Sequence, residues 1–461
     1  MGVDMSHKVN IRFLGAAGTV TGSKYLLEIG SKKILIDCGL FQGLKNLRLK
    51  NWAPLPLDSS DLDAVILTHA HIDHSGYLPL LVKNGFCGPI YCTHATKVLC
   101  GILLPDAGYL QEEEARFANR HNFSKHHPAL PLYTKEDAIH CLEYFRSVNW
   151  HEDIEVCKGV NFRALMAGHI LGSAIIQIKA FEHLITFSGD LGRQHPLMLL
   201  PPESVSETDT LVVESTYGSR KHPHDDPKMA LKNTINKTIQ RGGILIIPAF
   251  AVGRTQDLLS LIHDLKKSKL IPDIPVYINS PMAIKSTRIY SDHLEDQALT
   301  PQECEEHCKV ATYVSTPEES KALALKTEPA IIISASGMAS GGRVLHHLKA
   351  LAPDPKNTIL LVGYQAAGTR GEALLHRAET IKIHGQKISV RAEIVTINSL
   401  SAHADADEIM TWLGHFKKSP KMTFITHGEP LESEALRIRI QEELRWNAMV
   451  PEMGQMVTLS E

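Results

Sequence analysis

The stretch Ile66–Pro79, ILTHAHIDHSGYLP, extends the apolar run LDAVILT and packs His69, His71, Asp73 and His74 into six positions. The run itself reads as a buried strand. A solvated loop has no need of three imidazoles, and a buried one cannot leave them without partners. Alternation lets His69 and His71 emerge beyond one strand end, while Asp73 and His74 follow as the chain turns. Four donors at this spacing point to a metal as their shared partner. A site of catalytic type also keeps a position open for water, so further ligands must come from elsewhere in the chain. His169 in AGHILGS, Asp190 in SGDLG and His427 in THGE each lie at the end of an apolar run, beside a glycine that lets the backbone turn sharply. Seven donors suffice for two ions. Zinc is the expected metal, with manganese as the alternative, because histidine and carboxylate suit several divalent ions.

The composition is that of an ordinary globular chain. Its 461 residues exceed what one core usually holds, so two domains are expected, and 43% are hydrophobic. A formal charge of -3 gives no global signature of a nucleic-acid binder, so a polyanion must meet a local basic patch. The apolar runs are short, and the polar opening MGVDMSHKVN is not a charged-then-apolar leader. No membrane partner is expected, and the predicted location is cytoplasmic. Eight scattered cysteines without a CxxC pair imply reduced thiols. Cys304, His307 and Cys308 share one predicted helix but lack the second pair that a structural zinc site shows. His126, His127, His222, His224, His346 and His347 lack the strand-end context and read as surface or packing residues.

The hydrophobic pattern predicts an α/β chain. VNIRFLGAAG, SKYLLEIG and KKILIDCG are short apolar runs broken by glycine, as in a sheet layer. Residues 97–150 turn helical, and strands return in NFRALMAGHILG, SAIIQIKAF and HLITFSGDLG. From about residue 217 helices and strands alternate regularly, which predicts a parallel sheet covered by helices. The tail, with SAHADADE and KMTFITHGE, resumes the first pattern. The expected organisation is a first domain in two parts, 1–216 and 397–461, around an inserted domain, 217–396.

THAHIDHSG, AGHILGS and SGDLG resemble the metallo-β-lactamase superfamily. FLGAAGTVTGSKYLLE, LIDCGLFQG, ESTYG, PAFAVGRTQDLL, SASGMASGGRVLHHL, GYQAAGTRGEALL, SAHAD and THGE resemble its β-CASP nuclease branch, over nearly the whole chain. The resemblance implies an αββα sandwich with an inserted β-CASP domain, a parallel sheet flanked by helices. It implies that His69, His71 and His169 bind one zinc, that Asp73, His74 and His427 bind the other, and that Asp190 bridges them. Asp37 would support the site from behind. Glu214 and His403 match motifs in which a carboxylate partners an imidazole beside the leaving group and raises its pKa, so that His403 would be the general acid. Asp73 or Asp190 would orient the attacking water.

By the same resemblance, a histidine in the last motif accompanies RNA-acting members, and His71 argues against the oxygen-reducing flavodiiron relatives. The implied activity is metal-dependent hydrolysis of single-stranded RNA that leaves 5′-phosphate and 3′-hydroxyl ends, beneath a lid formed by the inserted domain. Arg254, Gly337, Ser340, Gly341, Gly342, Arg343, Thr369 and Arg370 lie between strands and helices, where N–H groups and guanidiniums could hold phosphates. Asn279 and Ala367 stand where relatives carry acidic residues more often. The chain ends soon after THGE, without the additional domain of ribonuclease J, so endonuclease is expected ahead of 5′ exoribonuclease. A small-ester or thioester hydrolase and a non-catalytic RNA-binding subunit are the other readings, and a homodimer is compatible with all of them.

Overall fold

Two mixed sheets face each other across one apolar core. The first runs in the order Met456–Ser460, Val9–Phe13, Tyr25–Ile29, Lys32–Ile36, Ala64–Ile66, Ile90–Thr93, Phe145–Val148. The second runs Ala448–Met449, Met422–Thr426, Thr210–Glu214, His183–Phe187, Ala174–Ala180, Val160–Met166, Ile154–Cys157. Each joins an antiparallel meander to a set of parallel strands. This computed structural model describes residues 8–122, 124–223 and 226–460, so His224 and most of the polar opening lie outside the described residues. The chain divides into two compact units. One comprises Met1–His195, Pro201–Lys221 and His403–Glu461, and the other Pro196–Leu200 and His222–Ala402.

Period-two burial explains the sandwich. In Val9–Phe13 every second side chain, Val9, Ile11 and Phe13, enters the core between the sheets. Central strands are buried on both faces. Val212 and Phe424 point into that core, whereas Leu211, Val213 and Ile425 pack outward against Ile409, Trp412, Leu413 and Leu436 of the helices Ala406–Leu413 and Pro430–Arg439. The long helix His94–Arg120 packs on strands of the other sheet, which completes the αββα layering. The span 97–150, read as helical, holds this helix and Lys135–Cys141 but closes with the strand Phe145–Val148.

The second unit is a six-stranded, all-parallel sheet in the order Thr312–Tyr313, Val276–Ile278, Ile331–Ser334, Leu245–Pro248, Thr358–Val362, Glu393–Ile397. Leu245, Ile247, Ile331, Ile333 and Leu360 face the helices Pro227–Gln240 and Arg254–Lys267. Ile246, Ile332, Ile359 and Leu361 face the helix Val344–Leu351. Burial on both faces is why these strands are continuous apolar runs. Among the described residues no helix is long and apolar enough to cross a membrane.

Phe424 is fully buried in the sandwich, its ring 4.9 Å from that of Phe13 on the opposite sheet. Phe424→Ala is expected to destabilise the protein by about 3–5 kcal/mol, read as a lower denaturant midpoint at unchanged slope.

Candidate metal centre

The chemistry-bearing residues gather where strands end. Asp37 follows Lys32–Ile36, His69 to His74 follow Ala64–Ile66, His169 follows Val160–Met166, and Asp190 follows His183–Phe187. Glu214 closes Thr210–Glu214, and His427 follows Met422–Thr426. These strands run in the same direction within their sheets, so their carboxyl ends share one edge of the sandwich, the usual place for a site in parallel-rich sheets.

Two groups of donors meet there. His69 Nε2 and His169 Nε2 lie 3.1 and 3.2 Å from His71 Nδ1. His74 Nε2 lies 3.0 Å from His427 Nε2, which is 3.6 Å from Asp73 Oδ2. Asp190 spans the two groups. Its Oδ2 faces His69 Nε2 and His169 Nε2 at 3.5 and 3.6 Å, and its Oδ1 faces His74 Nε2 and His427 Nδ1 at 3.2 and 3.5 Å.

The donor set fits divalent cations. Tetrahedral zinc with bonds of about 2.0–2.1 Å holds its nitrogens about 3.3–3.5 Å apart, close to the spacing seen here. Three imidazole nitrogens turned on one another cannot all be satisfied by protons, whereas one cation satisfies them together. Burial, aided by the neighbouring imidazoles, holds His69 and His169 well below the usual histidine range, and burial takes His71 to about 4, so all three rings are neutral. Burial opposes ionisation of Asp190, but His427, His74 and His69 outweigh it and hold the carboxyl well below its ordinary value. His74 goes the other way. Burial alone would lower it, yet Asp190 and Asp37 on either side raise it well above its ordinary value. Two carboxylates thus demand positive charge at this ring, which a proton or a metal can supply.

The supports behind the donors are specific. Asp37 Oδ2 lies 2.7 Å from His74 Nδ1 and accepts from Thr68 Oγ1 at 3.0 Å, while Oδ1 accepts from the Thr68 N–H at 2.8 Å. This fixes the His74 ring with Nε2 inward. Thr216 Oγ1 meets His427 Nδ1 at 3.1 Å. A Cβ at Gly39 would stand 1.5 Å from the Asp73 carbonyl oxygen, and one at Gly192 would stand 2.0 Å from that of Gly168, so only glycine lets these loops close. Glu214 is buried, with Oε1 accepting from the Leu191 N–H at 2.6 Å and lying 3.1 Å from His403 Nδ1. The His403 ring sits 4.3 Å from that of His169.

The residues expected to hold phosphates all belong to the second unit, and much of their bonding capacity is used locally. Arg254 is buried and donates to Asp257 Oδ2 at 2.8 Å. Arg343 donates to the carbonyls of Val314 and Ser315 at 3.2 and 2.6 Å, and Arg370 to those of Lys382 and Ser340 at 2.6 and 3.1 Å. Thr369 caps the helix Arg370–Leu375. The Ser340 N–H donates to Ser336 Oγ, a Cβ at Gly337 would strike Phe250, and Gly341 and Gly342 complete the loop before Arg343. Asn279 is buried, its Oδ1 3.0 Å from His347 Nε2 and accepting from Ser320 Oγ at 2.9 Å.

Sequence reasoning missed three supports. Thr68 and Thr216 lie inside THAHIDHSG and ESTYG, where a hydroxyl beside a ligand was the available signal. Lys24 had none, because lysine reads as surface. It is buried, donates to the Gly39 carbonyl and lies 4.7 and 4.8 Å from the ring centres of Phe41 and Tyr77, with burial lowering its pKa to about 8.

Comparison with known proteins agrees with this architecture. Residues 17–249 match the metallo-beta-lactamase superfamily, 255–374 the Beta-Casp domain, and 387–451 a Zn-dependent metallo-hydrolase RNA specificity domain. A ribonuclease of Thermus thermophilus is 34% identical over 423 residues, 90% of this chain and 92% of the relative. An RNase J-like protein of Methanocaldococcus jannaschii is 30% identical over 455 residues, 98% of this chain and 100% of the relative. The transcription termination factor FttA of Methanosarcina mazei is 29% identical over 456 residues, 95% of this chain and 69% of the relative. A crystal structure of a protein of unknown function from Enterococcus faecalis V583 shares the fold, with a TM-score of 0.54 at 14% identity, covering 98% of this chain and 100% of that one. The chain therefore belongs to the metallo-β-lactamase superfamily, in its β-CASP branch.

Proposed function

We propose that this protein is a cytoplasmic metal-dependent ribonuclease, an endonuclease that hydrolyses single-stranded RNA to 5′-phosphate and 3′-hydroxyl ends with two zinc ions. The carrying observation is Asp190, one oxygen turned to each group of donors, beside the His403–Glu214 pair. The names of the Thermus and Methanocaldococcus relatives and the RNA specificity domain support RNA as substrate. His69, His71 and His169 would hold one ion, Asp73, His74 and His427 the other, and Asp190 both. When bound, such ions activate water and neutralise charge on a phosphodiester.

The chain's own groups do the rest. Asp73 is the least buried of the carboxylates here, and His427, His74 and His71 overcome burial to keep it ionised, so it can accept a hydrogen bond from the attacking water and orient it. Asp37 holds His74 in one tautomer. His403, with Nδ1 against Glu214, protonates the departing oxygen from Nε2. Burial works against the imidazolium, but Glu214 more than offsets it and His403 is raised above its ordinary value. The acid must be protonated to act, so activity persists below its pKa and falls as pH rises through it.

Asp190→Ala is expected to lose both bound metal and cleavage, measured together by elemental analysis and a labelled-RNA assay. His403→Ala should keep its metal and lose about 10²–10⁴-fold in kcat; wild-type turnover in that variant would remove His403 from the mechanism. In Glu214→Gln the alkaline limb of the kcat–pH profile should move to lower pH, because the imidazolium loses its counter-charge. Asp37→Asn should weaken metal affinity by about 10–100-fold, read by competition with a chelator.

A further inference from the structure

The second unit carries another cluster of side chains of metal-ligating type, apart from the strand-end site. His263 and Asp264 lie on the helix Arg254–Lys267, and His307 lies on the helix Pro301–Cys308 packed against it. One donor atom from each of the three falls within 4.8 Å of the others. The two imidazoles are in ring contact at 4.8 Å between centroids. His307 is only 7% exposed, and its Nδ1 is buried without a hydrogen-bond partner. The Nδ1 of His263 is likewise buried and without one. Asp264 divides its carboxylate, with Oδ2 accepting from Lys228 Nζ at 3.2 Å and Oδ1 turned to His263 Nδ1 at 3.6 Å.

We infer that His263, Asp264 and His307 form a divalent-metal site of the zinc type that ties these two helices together. Two imidazoles and a carboxylate that each bring a ligand atom to one place, with both Nδ1 atoms buried and without a hydrogen-bond partner, are the ligand chemistry zinc selects. The far side of His263 fits as well, since its Nε2 faces Glu306 Oε2 at 3.7 Å. A carboxylate on the opposite ring nitrogen favours the tautomer that leaves Nδ1 as the donor to metal, the usual support of a zinc-bound histidine. Burial and the neighbouring His263 lower the His307 pKa, so that its ring is neutral near pH 7. Glu306 itself is braced by Lys267 at 3.1 Å and Gln302 at 3.1 Å.

This is a different set from the Cys304, His307, Cys308 trio that one helix suggested. Both cysteine sulfurs lie 3.7 Å from Ser291 Oγ on the neighbouring helix Pro281–Asp292, whereas His307 turns to His263. The site does not depend on the ribonuclease reading, because none of its residues belongs to the catalytic set.

Zinc content at a buffered free-zinc concentration tests it on the full-length protein. Wild type should hold one equivalent per chain more than His263→Ala/His307→Ala, whatever number the strand-end site takes. Cobalt substitution should give wild type visible absorption beyond that of the strand-end site, and this variant should lack the increment. Asp264→Asn keeps the size and shape of the side chain and should weaken that single equivalent at least tenfold. Equal zinc content in wild type and the folded double variant would overturn the inference. Should the double variant fail to fold, unchanged affinity of every equivalent in Asp264→Asn would overturn it equally.

Discussion

The site depends on one buried carboxylate. Asp190 is 2% exposed, so its carboxylate is shut off from bulk solvent. A charge in that position is tolerated only if the surroundings return what hydration supplied. Four imidazoles surround it, two facing each oxygen, and they come from three separate stretches of chain, while Oδ1 is left without a hydrogen bond, a place that a cation could take. Removing Asp190 would leave His69, His169, His74 and His427 turned on one another with nothing between them. The loops must also come close enough for this arrangement. The Gly192 backbone presses on that of Gly168 just before His169, so the turn that carries the carboxylate and the turn that carries a histidine are fitted as one piece.

What the sequence revealed follows from where burial leaves a local trace. The donors were legible because each stands at the end of an apolar run, and a titratable group at a buried strand end needs a partner. The parallel sheet of the second unit was legible because LIIP, IIIS and TILLV are buried on both faces and so read as unbroken apolar runs. Edge pairing leaves no such trace. Met456–Ser460 pairs with Val9–Phe13 across almost the whole length of the chain, and no local pattern announces it. Phe145–Val148 has only its two end residues buried, as a helix turn would, and the structure places it as a strand beside Ile90–Thr93. Charged groups were legible as types but not as partners. Arg343 and Arg370 read as cations in loops, while the carbonyls they grip lie 28 and 12 residues away, in segments whose approach no local pattern specifies. His263 gave no signal because a histidine on an amphipathic helix is ordinary, and its partner His307 sits on another helix.

The backbone at the strand-end site is held in conformations that its residues do not prefer. Asp37 has φ +56°, His427 φ +50° and Ala16 φ +50°, in the left-handed region that non-glycine residues rarely adopt. Each such residue costs on the order of 1–3 kcal/mol and persists only where its neighbours over-determine it. Here they do. The His427 N–H donates to the Ala16 carbonyl at 2.7 Å, its own carbonyl accepts from the Ser215 N–H at 3.3 Å, and the Asp37 carboxylate is fixed by Thr68. The strained residues are a histidine of the site, the carboxylate behind another, and the alanine whose carbonyl holds that first histidine's N–H, so the strain serves to aim side chains at the site. Folding must then assemble mutually repelling or unsatisfied groups at one edge of the sandwich, and a bound cation would remove that penalty. Metal affinity and folding stability are two readings of a single free energy in such a centre, so the strain at Asp37 and His427 would be part of what presets the site for metal.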